Sequence, residues 1–158
     1  MAVRTEILTY YTKEREMKKA RQRFLMLRAL LLEERNSELL EMLEAVLEQC
    51  RRYVESVIKM EARAAEIKKK YGNDPVAWRL EIEPVDEARR LSHNSLIAHL
   101  EAFNRNCTKK YGWQPKGRIP VGGVFTLDPN VLSDPYSLVS RTEIANWAFY
   151  LVLGMGTA

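Results

Sequence analysis

The chain has 158 residues, of which 46% are hydrophobic, and this suffices for one folded domain with a buried core. The composition excludes an intrinsically disordered chain, a collagen-like chain and a disulfide-stapled miniprotein. Twenty-five basic against 21 acidic residues give a net charge of +4, which permits a polyanionic partner without requiring one. Few glycines and prolines beside many helix-forming residues predict an all-α protein.

The first 35 residues hold one apolar stripe, and the segment 24–32 within it is apolar on nearly every side. This stripe consists of Tyr10, Met17, Ala20, Phe24, Leu27 and Leu31. A helix of this kind has more apolar surface than one partner covers. The register changes at 35–37 without a Gly or Pro, so two interpretations stay open. Residues 5–35 and 37–71 form a hairpin in which Asn36 or Ser37 caps the second helix, or residues 5–71 form one helix of about 100 Å.

The clearest pattern is a heptad repeat between positions 39 and 71, with spacings that alternate between four and three. Its members are Leu39, Leu43, Val46, Cys50, Tyr53, Val57, Met60, Ala64, Ile67 and Tyr71. Such a repeat is typical of a coiled-coil or bundle helix that keeps one face on its neighbours. Gly72 suits the left-handed position after a helix, and Pro75 cannot continue it, so we expect the helix to end at Tyr71.

Two more helices are predicted downstream of this repeat. One runs near 84–110, with Pro84 at its first position, and the other runs near 141–153, opened by a capping box at 140–143 and ended by Gly154. A Gly/Pro-rich irregular segment separates them. We therefore predict a single all-α domain over 1–158. It is a helical bundle with a long antiparallel helix pair in 5–71, and the part 84–153 adds a third helix, the irregular segment and a buried C-terminal helix.

Cellular location is inferred from the cysteines and the apolar segments. Cys50 and Cys107 occupy helical seam positions, where we expect free, buried thiols in a reducing compartment. The chain does not open with a secretory segment, and its longest apolar block, 144–153, is shorter than the roughly 20 residues of a membrane span. The sequence therefore predicts a cytoplasmic protein without a membrane partner.

Polar residues cluster on the predicted third helix, which carries both histidines of the chain. The candidate ligand-binding residues are His93, Asn94, His99 and Asn104. In the alternative interpretation, these polar groups satisfy one another and the nearby backbone. No nucleophile, metal-ligand set or phosphate loop stands at the required spacing, so the sequence predicts no catalytic residue, no metal and no cofactor.

A basic run marks the first helix and could contact the phosphates of a nucleic acid. Its members are Lys13, Arg15, Lys18, Lys19, Arg21 and Arg23. Glu14 and Glu16 dilute the run, and a solvated, salt-bridged helix face is the alternative interpretation.

Three short patterns resemble a family of small uncharacterised bacterial helical proteins over the C-terminal half of the chain. They are Arg-x-x-x-His-Asn-x-Leu-Ile at 89–97, Asn104-Arg105, and Glu143-Ile-Ala-x-Trp-Ala148. The resemblance implies a helical fold and a bacterial source, and it implies no activity.

The sequence favours a non-enzymatic cytoplasmic interaction protein that self-associates, as a homodimer, through helix packing. Two alternatives stay open. One is a nucleic-acid-associated regulator that uses the basic first helix, and the other is an enzyme or small-ligand binder at the polar cluster of His93 and Asn104.

Overall fold

A computed structural model describes residues 13–112, 127 and 129–156 of the chain. Within these residues the chain forms five helices and no strand, which confirms the predicted all-α bundle. The helices are α1 (Glu14–Glu33), α2 (Ser37–Tyr71), α3 (Pro75–Tyr111), α4 (Pro129–Ser133) and α5 (Leu138–Met155). Tyr10 of the first apolar stripe, and the irregular segment from 113 to 126, lie outside the described residues.

A tight turn at Glu34–Asn36 separates α1 from α2, so the predicted break between two helices is confirmed and the single continuous helix is wrong. Arg35 adopts a left-handed backbone with φ of 55°. The N–H groups of Arg35 and Asn36 donate to the carbonyls of Leu32 and Leu31, both at 3.0 Å, which closes α1 with a Schellman motif. The Asn36 side chain then accepts from the Leu39 N–H at 3.1 Å and caps α2.

The long antiparallel pair consists of α2 and α3, which make the most extensive helix contact in the described part of the chain. Arg63 pairs with Glu81 near their shared turn. At mid-length the Ser95 hydroxyl donates to Gln49 Oε1 at 2.8 Å. The sequence analysis had assigned this pair to 5–35 and 37–71. That assignment is corrected, because α1 packs more extensively on α5 than on α2.

Helix α3 begins nine residues before the predicted start at Pro84. The Asp74 carboxylate accepts from the N–H groups of Val76 and Ala77 at 3.0 and 3.3 Å, and Pro75 occupies the first turn. Pro84 lies inside the helix with an exposed ring. The predicted start was wrong because both prolines follow an acidic residue, so each resembles a helix start. In the structure the upstream residue, Asp74, is the cap.

Helix α5 also begins earlier and ends later than predicted. Ser137 caps it by accepting from the Ser140 N–H at 3.2 Å, so Ser140 is a buried residue inside the helix rather than its cap. Gly156, with φ of 91°, ends the helix. Gly154 serves a packing purpose instead, because a Cβ there would lie 2.5 Å from the Met17 carbonyl oxygen. The C-terminal turn of α5 therefore lies directly on the backbone of α1.

The main core is shared by all five helices, and the heptad repeat of α2 enters it only with its first half. Repeat members from Leu39 to Tyr53 are buried there together with most of α5. Beyond Ile58, the pair α2–α3 continues as a two-helix arm, here defined as residues 59–88. Within the arm, Ile67 and Ile82 are buried, but neither belongs to the main core cluster.

Candidate functional site

His93 lies in a packed contact between three helices. Its ring centroid is 5.0 Å from that of Tyr53 on α2, and its Nε2 lies 3.2 Å from the Arg141 carbonyl oxygen on α5. Because that oxygen is an acceptor, the neutral ring carries its proton on Nε2. Burial lowers the pKa of His93 below its ordinary 6.5, and the positive charges of Arg141 and Arg89 lower it further.

The other predicted ligand-binding residues do not converge on His93. Asn94 is exposed and accepts from Arg141 at 3.3 Å. His99 is half-buried, and its Nδ1 lies 2.8 Å from the Ser95 carbonyl oxygen of its own helix. Asn104 follows His93 by three helical turns, which is about 16 Å along the axis. Arg141 of α5 therefore contacts both His93 and Asn94, whereas His99 and Asn104 lie apart from them. Ligand binding by these four residues stays a prediction.

Sequence reasoning missed the residues that surround His93. Burial raises the pKa of Tyr53, and the positive charges of Arg89 and Arg141 oppose that rise. Arg89 in turn donates to Asp86 at 3.0 Å. Tyr53 carried a detectable signal, as a member of the heptad repeat, but that signal predicts burial and not a polar contact. Arg89 is separated from Tyr53 by 36 positions, so only the pairing of α2 with α3 reveals this network.

A second candidate is the side of α1 that faces away from the core, here called the outer α1 face. The buried side of α1 consists of Ala20, Phe24, Leu27 and Leu31. The outer α1 face consists of Arg15, Lys18, Lys19, Gln22, Met26, Ala29, Leu32 and Glu33, all of them exposed. Met26 and Leu32 keep 39% and 59% of their surface exposed. The predicted excess of apolar surface on the first helix is therefore present in the folded chain.

Charge is distributed unevenly along this face. Residues 13–23, at the start of α1, hold six basic and two acidic side chains. All six cations predicted to contact nucleic acid are exposed, with Lys13 at the N-cap position and the other five on α1. Lys18 lies 3.5 Å from Glu14, in a solvent-exposed pair that contributes little to stability. The outer α1 face is thus basic at its start and mainly apolar in its second half, where Glu33 is its acidic member.

A third feature is an apolar line on the outside of α3. Val76, Leu80 and Leu91 keep 65%, 70% and 62% of their surface exposed. The charges beside this line pair within α3, where Arg90 donates to Glu83 at 2.7 Å and to Asp86 at 2.6 Å. The flanks of this line are therefore largely neutralised.

The described residues contain neither a metal-binding cluster nor a membrane-spanning helix. No group of three or more His, Cys, Asp or Glu side chains there is placed to hold a metal ion. In the same part of the chain, no helix combines the length and the apolarity that crossing a bilayer requires. The thiols of Cys50 and Cys107 are free and buried, as predicted.

The described residues form an all-α bundle with a two-helix arm outside the main core cluster and a first helix with an exposed outer face. The chain belongs to the family described as "Protein of unknown function (DUF3232)", whose model matches residues 2–157. The match extends over nearly the whole chain, beyond the C-terminal half on which the sequence resemblance rested. No curated protein and no solved structure matches the chain.

Proposed function

We propose that this protein is a non-enzymatic helical interaction protein that self-associates through helix packing. The observation that carries the proposal is the outer α1 face, where Met26 and Leu32 remain exposed on a helix whose opposite side lies in the core. Exposed apolar side chains grouped on one face mark interaction surfaces more often than scattered ones do. We also place the protein in the cytoplasm, because two free thiols are typical of a reducing compartment.

The inner side of α1 is covered by two helices of the same chain. Helix α5 makes the more extensive contact with α1, and α2 also packs on it, where Arg28 pairs with Glu44 at 2.8 Å. Met26, Ala29 and Leu32 stay exposed. Burying such side chains stabilises an association by about 25 cal/mol for each square ångström of apolar surface removed from water.

Sedimentation equilibrium of the full chain over a wide concentration range tests this proposal. We expect the mass to rise from the monomer value of 18.4 kDa towards twice that value as concentration increases. The double variant Met26→Gln/Leu32→Gln should remain monomeric at every concentration. The matched control, Leu80→Gln/Leu91→Gln, removes a comparable apolar pair from α3 and should associate like the wild type. A wild type that stays monomeric throughout contradicts the proposal.

A further inference from the structure

The start of helix α1 concentrates exposed positive charge. Residues 13–23, here called the basic α1 segment, hold six basic and two acidic side chains, and so a net charge of +4. All six cations are exposed, and Lys18 is the member that the described residues pair with a carboxylate. The other cations of the segment face water, where they attract an anionic partner.

The spacing of the sequence leaves these cations without carboxylate partners on their own helix. Arg15, Arg21 and Arg23 have no Asp or Glu three or four positions away in either direction, the spacings at which helical side chains meet. Instead, Lys19 stands four positions from both Arg15 and Arg23, and like charges at this spacing destabilise a helix. Arg15 also lies in the first turn of α1, where the helix dipole disfavours a cation. The folding of α1 therefore does not account for its cations.

Basic residues on the next two helices do have a structural account. Arg52, Lys59 and Arg105 each pair with a glutamate four residues earlier, at 3.2–3.3 Å. The lysines at 68–70 and 109–110 occupy the last turns of α2 and α3, where the dipole favours cations. Apart from Lys18, the cations of the basic α1 segment have neither arrangement, which singles the segment out as a binding surface.

The dimensions of the segment match a short run of phosphates. Arg15, Lys18 and Lys19 lie on one side of α1, opposite the buried Phe24, and Arg23 follows Lys19 by about one helical turn. The segment extends about 15 Å along the helix axis. Over that length each strand of a nucleic acid duplex presents about four phosphates. We therefore expect about four phosphate contacts for each chain.

The residue types of the segment favour a nucleic acid backbone over other polyanions. The segment contains no aromatic side chain that could stack on bases, so it does not read base sequence in that way. A helix that binds a membrane surface places large apolar side chains beside its cations, whereas Met17 is half-buried and Ala20 is buried in the bundle. We propose that the basic α1 segment binds the phosphate backbone of duplex nucleic acid, independently of base sequence. This binding goes beyond the proposed self-association and does not rest on it.

Fluorescence anisotropy of a labelled DNA duplex of about 20 base pairs, titrated with the full chain, tests the proposal. The dissociation constant should lie between about 1 and 100 µM at physiological salt. A second duplex of unrelated sequence should give the same value. With four phosphate contacts, the dissociation constant should rise about 150-fold between about 50 and 200 mM salt.

A triple variant, Arg15→Gln/Lys19→Gln/Arg23→Gln, removes three of the expected phosphate contacts. The slope of the logarithm of affinity against the logarithm of salt concentration should then fall from about −3.6 to about −0.9. Since the variant also loses two like-charge pairs, its urea midpoint should equal or exceed that of the wild type. The matched control, Lys68→Gln/Lys69→Gln/Lys70→Gln, makes the same charge change in the arm and should bind the duplex like the wild type.

The outcomes separate this inference from the proposed function. An equal loss of binding in the two triple variants would assign the attraction to net charge and overturn the proposal. A wild type that does not bind the duplex overturns it too, as does one that prefers vesicles with about 30% phosphatidylserine at the same salt concentration. A chain that binds the duplex through the segment but stays monomeric in sedimentation contradicts self-association alone. A chain that self-associates without binding the duplex contradicts this inference alone.

Discussion

Arg35 shows how one residue determines the connection between two helices. Its backbone φ of 55° lies in the left-handed region, which costs a non-glycine residue about 1–2 kcal/mol. We expect Arg35→Gly to raise the free energy of unfolding by about 0.5–1 kcal/mol, since glycine loses part of that gain through its larger unfolded-state entropy. Urea denaturation measures the change. Arg35→Ala, which keeps a Cβ, should leave stability nearly unchanged, and a loss of stability in Arg35→Gly would contradict the left-handed turn.

His93 makes the stability of the fold depend on pH. Its pKa in the folded chain lies below the ordinary 6.5, because burial and the charges of Arg141 and Arg89 disfavour the protonated ring. As pH falls below about 6.5, the unfolded chain takes up the proton first. The free energy of unfolding then decreases, by at most about 1.4 kcal/mol for each pH unit. Above this range both states are neutral and His93 contributes no pH dependence.

Comparing urea denaturation at about pH 7.5 and pH 5.5 isolates this contribution. The wild type should lose more stability between the two values than His93→Gln, although the variant is less stable throughout because it loses the contact with Tyr53. His99→Gln serves as the matched control and should show the wild-type loss. An equal loss in the wild type and in His93→Gln would place the titration elsewhere.

Glycine predicted the end of α2 correctly but misplaced the end of α5, which is Gly156 rather than Gly154. Gly72 was expected to follow a helix, and it does so with φ of 66°. The turn at Arg35 stayed ambiguous, because its left-handed residue is an arginine, which carries no such signal. The cap of α5 was misplaced from Ser137 to Ser140, since serines three residues apart offer the same chemistry and only the folded chain selects one.

At the scale of elements, the heptad repeat predicted α2 but not its partner. A stripe of apolar residues shows that a face is buried, and it does not show which helix buries it. Its N-terminal half packs in the main core, whereas its C-terminal half lies in the arm, where α2 pairs with α3. The start of α3 was missed for a related reason, since Pro84 is compatible with a helix start and is unusual inside a helix.

The two prolines of α3 provide a matched pair of variants. Pro84 lies inside the helix, lacks an N–H to donate to the carbonyl four residues earlier, and its ring crowds that carbonyl. We expect Pro84→Ala to raise the free energy of unfolding by about 1–3 kcal/mol. Pro75→Ala changes a first-turn position, where no such hydrogen bond is lost, and should shift stability by less than about 0.5 kcal/mol. A destabilised Pro84→Ala, measured by thermal or urea denaturation, would show that the arm requires the proline.

At the scale of the whole molecule, the candidate interaction surface was only partly predictable. The apolar excess of the first helix was visible in the segment 24–32. Which of these apolar residues would be buried and which would stay exposed was not visible in the sequence, because that depends on the docking of α5. That docking relies on the close approach of Gly154 to Met17, two residues far apart in the chain. The polar cluster around His93 was visible as a composition, whereas its contact with Arg141 on α5 depends on the fold and was not.

The arm should open without unfolding the bundle. Its buried residues Ile67 and Ile82 are separate from the main core cluster, and most other residues of the arm are exposed or partly exposed. Local opening therefore exposes little apolar surface and requires less free energy than global unfolding. We expect backbone amides of residues 59–88 to exchange with deuterium faster than those of the buried segments 39–54 and 96–107, when measured by mass spectrometry on the native protein.

Two truncations of buried isoleucines distinguish local from global opening. Ile82→Ala should accelerate exchange mainly within the arm and should change the urea midpoint little. Ile97→Ala, at a fully buried core position, should lower the free energy of unfolding by about 2–4 kcal/mol and accelerate exchange in every helix. Because both variants remove the same atoms, a difference in their urea midpoints or exchange rates reflects where the two isoleucines lie in the fold. Equal effects of the two variants on the urea midpoint would show that the arm and the bundle unfold as one unit.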